Sequence, residues 1–390
     1  MAYKLRTSYI PEIKALMFGR NTPGTVSVNL TNKCNLSCIY CEIGKSDFTS
    51  GNGQLNYEDM VWVIDEMSRL SMKRLAVNGG EPFLFHRLID LVSLASRKKI
   101  ECTLTSNGMS VHKLDERSLQ SLKESKVRIN ISIDSFDNTI NAITRGNKSA
   151  LGNALASIKV LKEAGIPLKV LCVISKYNYT GLLEFVREAH RLGVPEVLFQ
   201  PVIYVSNYPG IKNVKDKGTL NVDLDHAEIL SDQINKIIEF ERKHRIKTNV
   251  YRMKHWINPY LGQVQNGNGN FFFEPLLKRF YCREIDAIIE ISFEGNIQAC
   301  GLIASGISIR NRNDEGLLEL WREAVESIKE KLSRKEYPPE CNACCNHFSR
   351  NMIASILKYP LANRKMLFRM GKLWIDRGIH IGIKKLSLNQ

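Results

Sequence analysis

Between residues 25 and 201, short strand-like and helix-like segments alternate six times, and no other feature of the chain restricts its fold as strongly. VSVNLT (26–31) is β-branched and alternating, YEDMVWVIDEMSRL (57–70) carries apolar residues at helical spacing, and KRLAVN (73–78) reads as a second strand. The pattern predicts further strands at ECTLTS (101–106), VRINISID (127–134), PLKVLCVI (167–174) and EVLFQP (196–201). It predicts helices near 86–97 and 115–124 and across 149–164 and 180–192. Units this short and regular demand a parallel sheet with crossover helices. Six of them suit a partial barrel or a doubly wound sheet, and periodicity alone does not choose.

In parallel α/β folds, chemistry gathers on loops at the carboxyl ends of strands. Four unusual clusters fall there: KCNLSCIYC (33–41), NGGEPF (78–83), TSNG (105–108) and SIDS (132–135), which therefore converge on one rim. The first places Cys34, Cys38 and Cys41 in one short loop. Structural zinc takes four protein ligands, commonly as paired CxxC knuckles. A cubane iron-sulfur cluster has four irons, each wanting a thiolate or a substitute. Three thiolates leave one iron bare, and a bare iron is a Lewis-acidic docking point for a chelating molecule. Three buried or zinc-bound thiols are the plainer alternative.

The CxxxCxxC loop after the first strand, with aromatic Tyr40 before the third cysteine and GGEP after the second strand, resembles the radical S-adenosylmethionine (radical SAM) superfamily over roughly residues 22–205. The resemblance implies a partial (β/α)6 TIM-type barrel. It also implies a 4Fe-4S cluster on Cys34, Cys38 and Cys41, whose fourth iron is chelated by the methionine amino and carboxylate groups of S-adenosylmethionine. One electron then cleaves the sulfonium to a 5'-deoxyadenosyl radical, which removes hydrogen from a substrate.

Carried over residue by residue, Gly79, Gly80 and Glu81 match the segment that pairs with the methionine ammonium, glycine allowing close backbone approach. Ser106 and Asn107 sit where relatives contact ribose or methionine, although Ser and Asn also serve turns. Ser132 and Asp134 alternate toward one face, and a buried carboxylate there needs a partner. Arg145, in ITRGN, matches an arginine that reaches the cofactor carboxylate. Tyr40 is expected against adenine or in plain packing, and Gln200 at the end of the sixth strand completes the cofactor set. Cys102 and Cys172 lie inside strands and read as small core hydrophobes.

After residue 201 the rhythm breaks. Residues 202–224 read as a long loop, 225–243 as a helix, and QNGNGN (265–270) as a turn-rich connection. Cys282, the hairpin signal in EISFEGNIQAC (290–300) and ECNACC (340–345) form a second cysteine group. This group resembles the SPASM or twitch domain, a β-hairpin plus helix unit that holds auxiliary clusters. Cys282, Cys300, Cys341 and Cys344 suffice for one auxiliary 4Fe-4S cluster, with Cys345 a substitute or spare, and zinc is the competing metal. The expected division is an N-terminal segment (1–21), a radical SAM core (22–205), a linker and helical region (206–275), the cluster domain (276–348) and a basic tail (349–390).

Ten cysteines without a secretory signal or a spanning apolar run suit a cytoplasmic protein that uses thiols for metal or redox chemistry. The resemblance adds a low-potential reductant such as flavodoxin or ferredoxin and a peptide or small-molecule substrate. The net charge of +15 names no partner by itself, and no nucleic acid is specifically indicated. From 346 to 390, nine Lys or Arg stand against one Asp, among apolar residues at helical intervals. Such a tail suits peripheral contact with an anionic membrane, where a lipid or sugar substrate would sit, or a helix packed on the barrel with a solvated basic side. A non-enzymatic iron-sulfur or zinc protein is the third reading.

Overall fold

The computed structural model describes residues 23–41, 43, 54–202, 220–266, 280–342, 344 and 348–365. Residue contacts divide them into two units, the larger built on 22–271 with 284–346 and the smaller containing 280–283 and 348–365.

In the larger unit, strands β1 (Thr25–Asn29), β2 (Arg74–Asn78), β3 (Glu101–Ser106), β4 (Arg128–Ser132), β5 (Leu168–Ile174) and β6 (Glu196–Pro201) pair in parallel and in sequence order. Helices α1 (Tyr57–Arg69), α2 (Leu88–Arg97), α3 (Glu116–Glu124), α4 (Asn138–Arg145), α5 (Ala150–Glu163), α6 (Leu182–Arg191) and α7 (Ala227–Lys243) return the chain between strands. This is the partial (β/α)6 barrel, and it removes the doubly wound alternative. A short β7 (Lys247–Thr248) extends it beyond β6, followed by α8 (Val250–Met253) and α9 (Ile257–Asn266).

One face of every barrel strand is apolar and buried, with Val26, Val28, Leu75, Val77, Leu104, Ile129, Ile131, Val170 and Val197 at 0–3% exposure. Each contributes about 1.5–3 kcal/mol when taken out of water. The alternate positions point to the opposite face and include the polar, half-buried Ser27, Asn78, Thr105, Asn130 and Ser132. Asn78 donates to Ser27 (3.2 Å) and Asn130 to Thr105 (3.3 Å), so side chains of neighbouring strands are hydrogen-bonded to one another along that face of the sheet.

The FEGN hairpin is present. A single turn, α10 (Glu284–Ala287), leads into β8 (Ile288–Ile291), which turns at Gly295 (φ 88°) into β9 (Asn296–Cys300) and then β10 (Ile303–Ser308). β8 pairs in parallel with β1, so the hairpin and the barrel form one ten-stranded sheet among the described residues. Helix α11 (Leu317–Ser333) packs on β9, and the short α12 (Pro339–Asn342) carries Cys341. In the smaller unit, α13 (Phe348–Lys358) holds the chain at Tyr281 and Arg283 through Ser355 and Asn351.

Helix α4 has no counterpart in the sequence reading. At eight residues it spans barely two turns, too few for a period to register. Its local signals are sound: Asp137 caps Thr139 and Ile140, and Gly146 (φ 69°) closes it in the left-handed conformation. Most of the expected 202–224 loop, residues 267–270, Cys345, the N-terminal segment and the tail beyond 365 lie outside the described residues. No helix among the described residues is long and apolar enough to cross a membrane.

Candidate functional site

The cysteine loop leaves β1 and is gripped from two sides. From β2, Gly80 N–H donates to Thr31 O (2.6 Å) and Glu81 N–H to Lys33 O (2.8 Å). A Cβ on Gly80 would lie 2.1 Å from Lys33 O, and one on Gly79 (φ 120°) 2.7 Å from Thr31 O. The double glycine therefore lets the second loop lie directly against the first. From the other side, Ile39 N–H donates to Thr144 O at 3.0 Å, and a Cβ on Gly146 would meet Ser37 O at 2.3 Å. The end of α4 is thus seated on the middle of the cysteine loop.

Glu81 is fully buried, and its carboxylate accepts from Ser106 Oγ (2.8 Å), Asn107 N–H (2.7 Å) and Phe83 N–H (3.2 Å). Burial raises its pKa, and these three donors pull the other way. The carboxylate locks the GGEP loop to the end of β3. Asn107, so placed, reaches Asn35 Oδ1 (2.7 Å) and Cys34 Sγ (3.7 Å) with its side-chain amide. Four expected residues, Glu81, Ser106, Asn107 and Cys34, thereby form one connected group.

A second group surrounds Cys38. Arg145 and Asp134, 7% and 0% exposed in their side chains, pair at 2.8 Å, and Arg145 Nη1 lies 3.9 Å from Cys38 Sγ. The Tyr40 hydroxyl donates to Asp134 Oδ2 (2.7 Å) and Val173 N–H donates to Oδ1 (3.0 Å), while the Arg145 guanidinium stands 5.7 Å from the Tyr40 ring centroid. Burial pushes the Cys38 thiol up to about 11 against the pull of Arg145, and burial likewise raises Cys34 and Tyr40. Burial works against the Arg145 charge, yet Asp134 beside it carries the net shift upward.

Ser132 is half-buried at the end of β4, opposite Leu171, and Gln200 lies on an exposed face of β6 opposite Val173. Cys102 and Cys172 are buried in the strands. Cys300 ends β9, and Cys344 N–H reaches back to Cys341 O (3.4 Å), the turn of a CxxC. Cys282 belongs to the smaller unit, where Asn351 Nδ2 stands 3.8 Å from its sulfur. Three asparagines carry structure that the sequence reading missed. Asn35 orients Asn107, Asn141 accepts from Asp134 N–H (3.0 Å), and Asn178 donates to Asp134 O (2.8 Å). Their only sequence signal is position in a loop or helix next to a strand end.

The donor chemistry of the cysteine loop fits a thiolate-bound cluster. An amide faces the Cys34 sulfur and a guanidinium the buried Cys38 sulfur, and the buried Asn32 Nδ2 and Arg145 Nε, both donors, have no acceptor among the described residues. Among the described residues, no group of three or more His, Cys, Asp or Glu that could hold a single metal ion occurs.

Residues 28–189 match the family model described as the radical SAM superfamily. A GTP 3',8-cyclase of Clostridium perfringens is 25% identical over 79% of this chain and 91% of its own length. An AdoMet-dependent heme synthase of Methanosarcina barkeri is 27% identical over 83% of this chain and 91% of its own length. Among solved structures, Streptococcus suis SuiB bound to its precursor peptide SuiA superposes with a TM-score of 0.58 at 18% identity, over 86% of this chain and 74% of SuiB.

Proposed function

We propose, on the premise that this chain belongs to the radical SAM superfamily, that it reductively cleaves S-adenosylmethionine at a 4Fe-4S cluster held by Cys34, Cys38 and Cys41 and takes a hydrogen atom from a peptide. The observation that carries this reading is the hydrogen-bonded union of GGEP, the end of β3 and the cysteine loop through the buried Glu81. That union holds the cysteine loop at the end of β1 and puts N–H donors beside Cys34 and Cys38, each of which pulls its thiol toward thiolate against the upward push of burial. When bound, such a cluster supplies the cleaving electron and an open iron for the methionine amino and carboxylate groups.

The polar face of the strands below that rim supports the choice of substrate class. Half-buried amides and hydroxyls from Ser27, Asn78, Thr105 and Asn130 line it, offering neutral donors and acceptors in adjacent strands. That chemistry matches the amide-rich backbone of a peptide and disfavours a lipid chain. Cys300, Cys341 and Cys344 are proposed ligands of one auxiliary 4Fe-4S cluster, which would take the electron released when a substrate radical is oxidised. The low-potential electron itself comes from a flavodoxin or ferredoxin.

The test is anaerobic reconstitution with iron and sulfide, followed by S-adenosylmethionine and dithionite. The reading expects 5'-deoxyadenosine from the wild type and none from Cys34→Ala, Cys38→Ala or Cys41→Ala. Candidate peptides encoded beside the gene are then screened for a mass change. Equal 5'-deoxyadenosine from all four proteins overturns the assignment.

A further inference from the structure

Arg145 has a second relationship that cofactor anchoring does not require. Its side chain is 7% exposed and the guanidinium is divided: Nη2 is bound to Asp134 Oδ1 at 2.8 Å, Nη1 lies 3.9 Å from Cys38 Sγ, and Nε has no partner among the described residues. Asp134 is itself held by the Tyr40 hydroxyl at 2.7 Å and by Val173 N–H at 3.0 Å. The backbone allows little escape, because Thr144 O is bound to Ile39 N–H and Gly146 is pressed against Ser37. A guanidinium in this position is fixed on the thiol.

We infer that Tyr40, Asp134 and Arg145 form a buried relay that sets the reduction potential of the cluster at Cys38. The inference rests on the reading of Cys34, Cys38 and Cys41 as cluster ligands. Arg145 supplies a permanent positive charge and an N–H donor to the sulfur. Asp134 offsets part of that charge, and the Tyr40 hydroxyl, by drawing on Asp134, sets how much is offset. Asp134 and Tyr40 are positioning residues that act through Arg145.

The electrostatics fix the signs. Reduction of a cubane by one electron, delivered by flavodoxin, ferredoxin or dithionite, adds one negative charge to the cluster while the donor is oxidised by one electron. A nearby positive charge and N–H···S bonds favour the reduced form and raise the potential, and a nearby carboxylate lowers it. In a buried site these effects are large because little water screens them. A residue that only anchored the cofactor carboxylate would change cofactor affinity and leave the potential of the cofactor-free cluster where it was.

The experiment titrates reconstituted wild type, Arg145→Gln, Asp134→Asn and Tyr40→Phe with graded reductant. EPR follows the reduced-cluster signal that changes on adding S-adenosylmethionine. Iron and sulfide are measured on the same samples, and cofactor affinity by equilibrium dialysis. The midpoint is expected to fall in Arg145→Gln, to rise in Asp134→Asn and to fall by a smaller amount in Tyr40→Phe. Unchanged midpoints, with cofactor affinity lost in Arg145→Gln, overturn the relay and make Arg145 a carboxylate anchor. If Arg145→Gln loads no iron, the other two variants decide: an Asp134→Asn midpoint at or below that of wild type overturns the inference. A wild type that holds zinc, or iron with no cofactor-responsive signal, instead overturns the cluster reading. That failure is recognised from metal content and EPR before any variant is compared.

Discussion

The backbone N–H of Asn107 donates to the buried carboxylate of Glu81 at 2.7 Å, tying the end of β3 to the loop that follows β2. Through that bond the Asn107 side chain is delivered to Asn35 and Cys34, so one carboxylate in GGEP orients a donor at a sulfur that it does not itself touch.

Removing the carboxylate is therefore expected to act at two levels. Glu81→Ala leaves the buried donors on Ser106 and Asn107 without their acceptor, at about 1–3 kcal/mol for each one left unsatisfied, and also frees the half-buried Phe83 N–H. Thermal denaturation is expected to show a lower Tm for Glu81→Ala, with Glu81→Gln intermediate, and 5'-deoxyadenosine yield to fall in the same order. A wild-type Tm in Glu81→Ala contradicts the structural role.

Gly80→Ala is expected to separate the two loops. Its Cβ would lie 2.1 Å from Lys33 O, a backbone atom that yields only if the cysteine loop moves. Far-UV circular dichroism is expected to stay close to wild type while iron retained at the first site drops. Full iron loading in Gly80→Ala contradicts the account of the close approach.

The larger unit is expected to lose stability between mildly acidic and neutral pH. Burial, reinforced by Glu284, raises the Glu290 carboxyl from 4.5 to about 7, with Gly301 N–H pulling the other way. Below pH 4.5 both folded and unfolded states hold the proton. Between 4.5 and about 7 only the folded state keeps it, so folding stability declines by about 3 kcal/mol across this window. Tm measured from pH 4.5 to 8 is expected to fall along this curve in the wild type and more gently in Glu290→Gln. Parallel profiles contradict it.

Cys341→Ala and Cys344→Ala test the auxiliary centre. Each is expected to cut iron and sulfide by about one cubane per chain, while the cofactor-responsive signal from the first loop persists. Zinc released in place of iron identifies the other metal.

The fold was legible because its two periods are strong. The six barrel strands begin and end within two residues of the sequence reading, and EVLFQP matches β6 at both ends. The hairpin followed from FEGN. Helix α4 escaped because eight residues hold too little repetition, and its loss concealed how Arg145 comes to meet Asp134, eleven residues earlier and across a turn. The sequence required a partner for Asp134 and singled out Arg145, without joining them. Likewise, GG announced a close approach but not its target, the backbone of Thr31 and Lys33. Asn35, Asn141 and Asn178 bond to groups set in place by tertiary structure, which no local pattern encodes.

The most direct test of the central claim is EPR of the dithionite-reduced, reconstituted protein before and after S-adenosylmethionine, in a Cys341→Ala background where the first cluster dominates. The account predicts that the signal shifts on addition of the sulfonium and then decays as 5'-deoxyadenosine accumulates. A reduced cubane whose spectrum is the same with and without S-adenosylmethionine contradicts it.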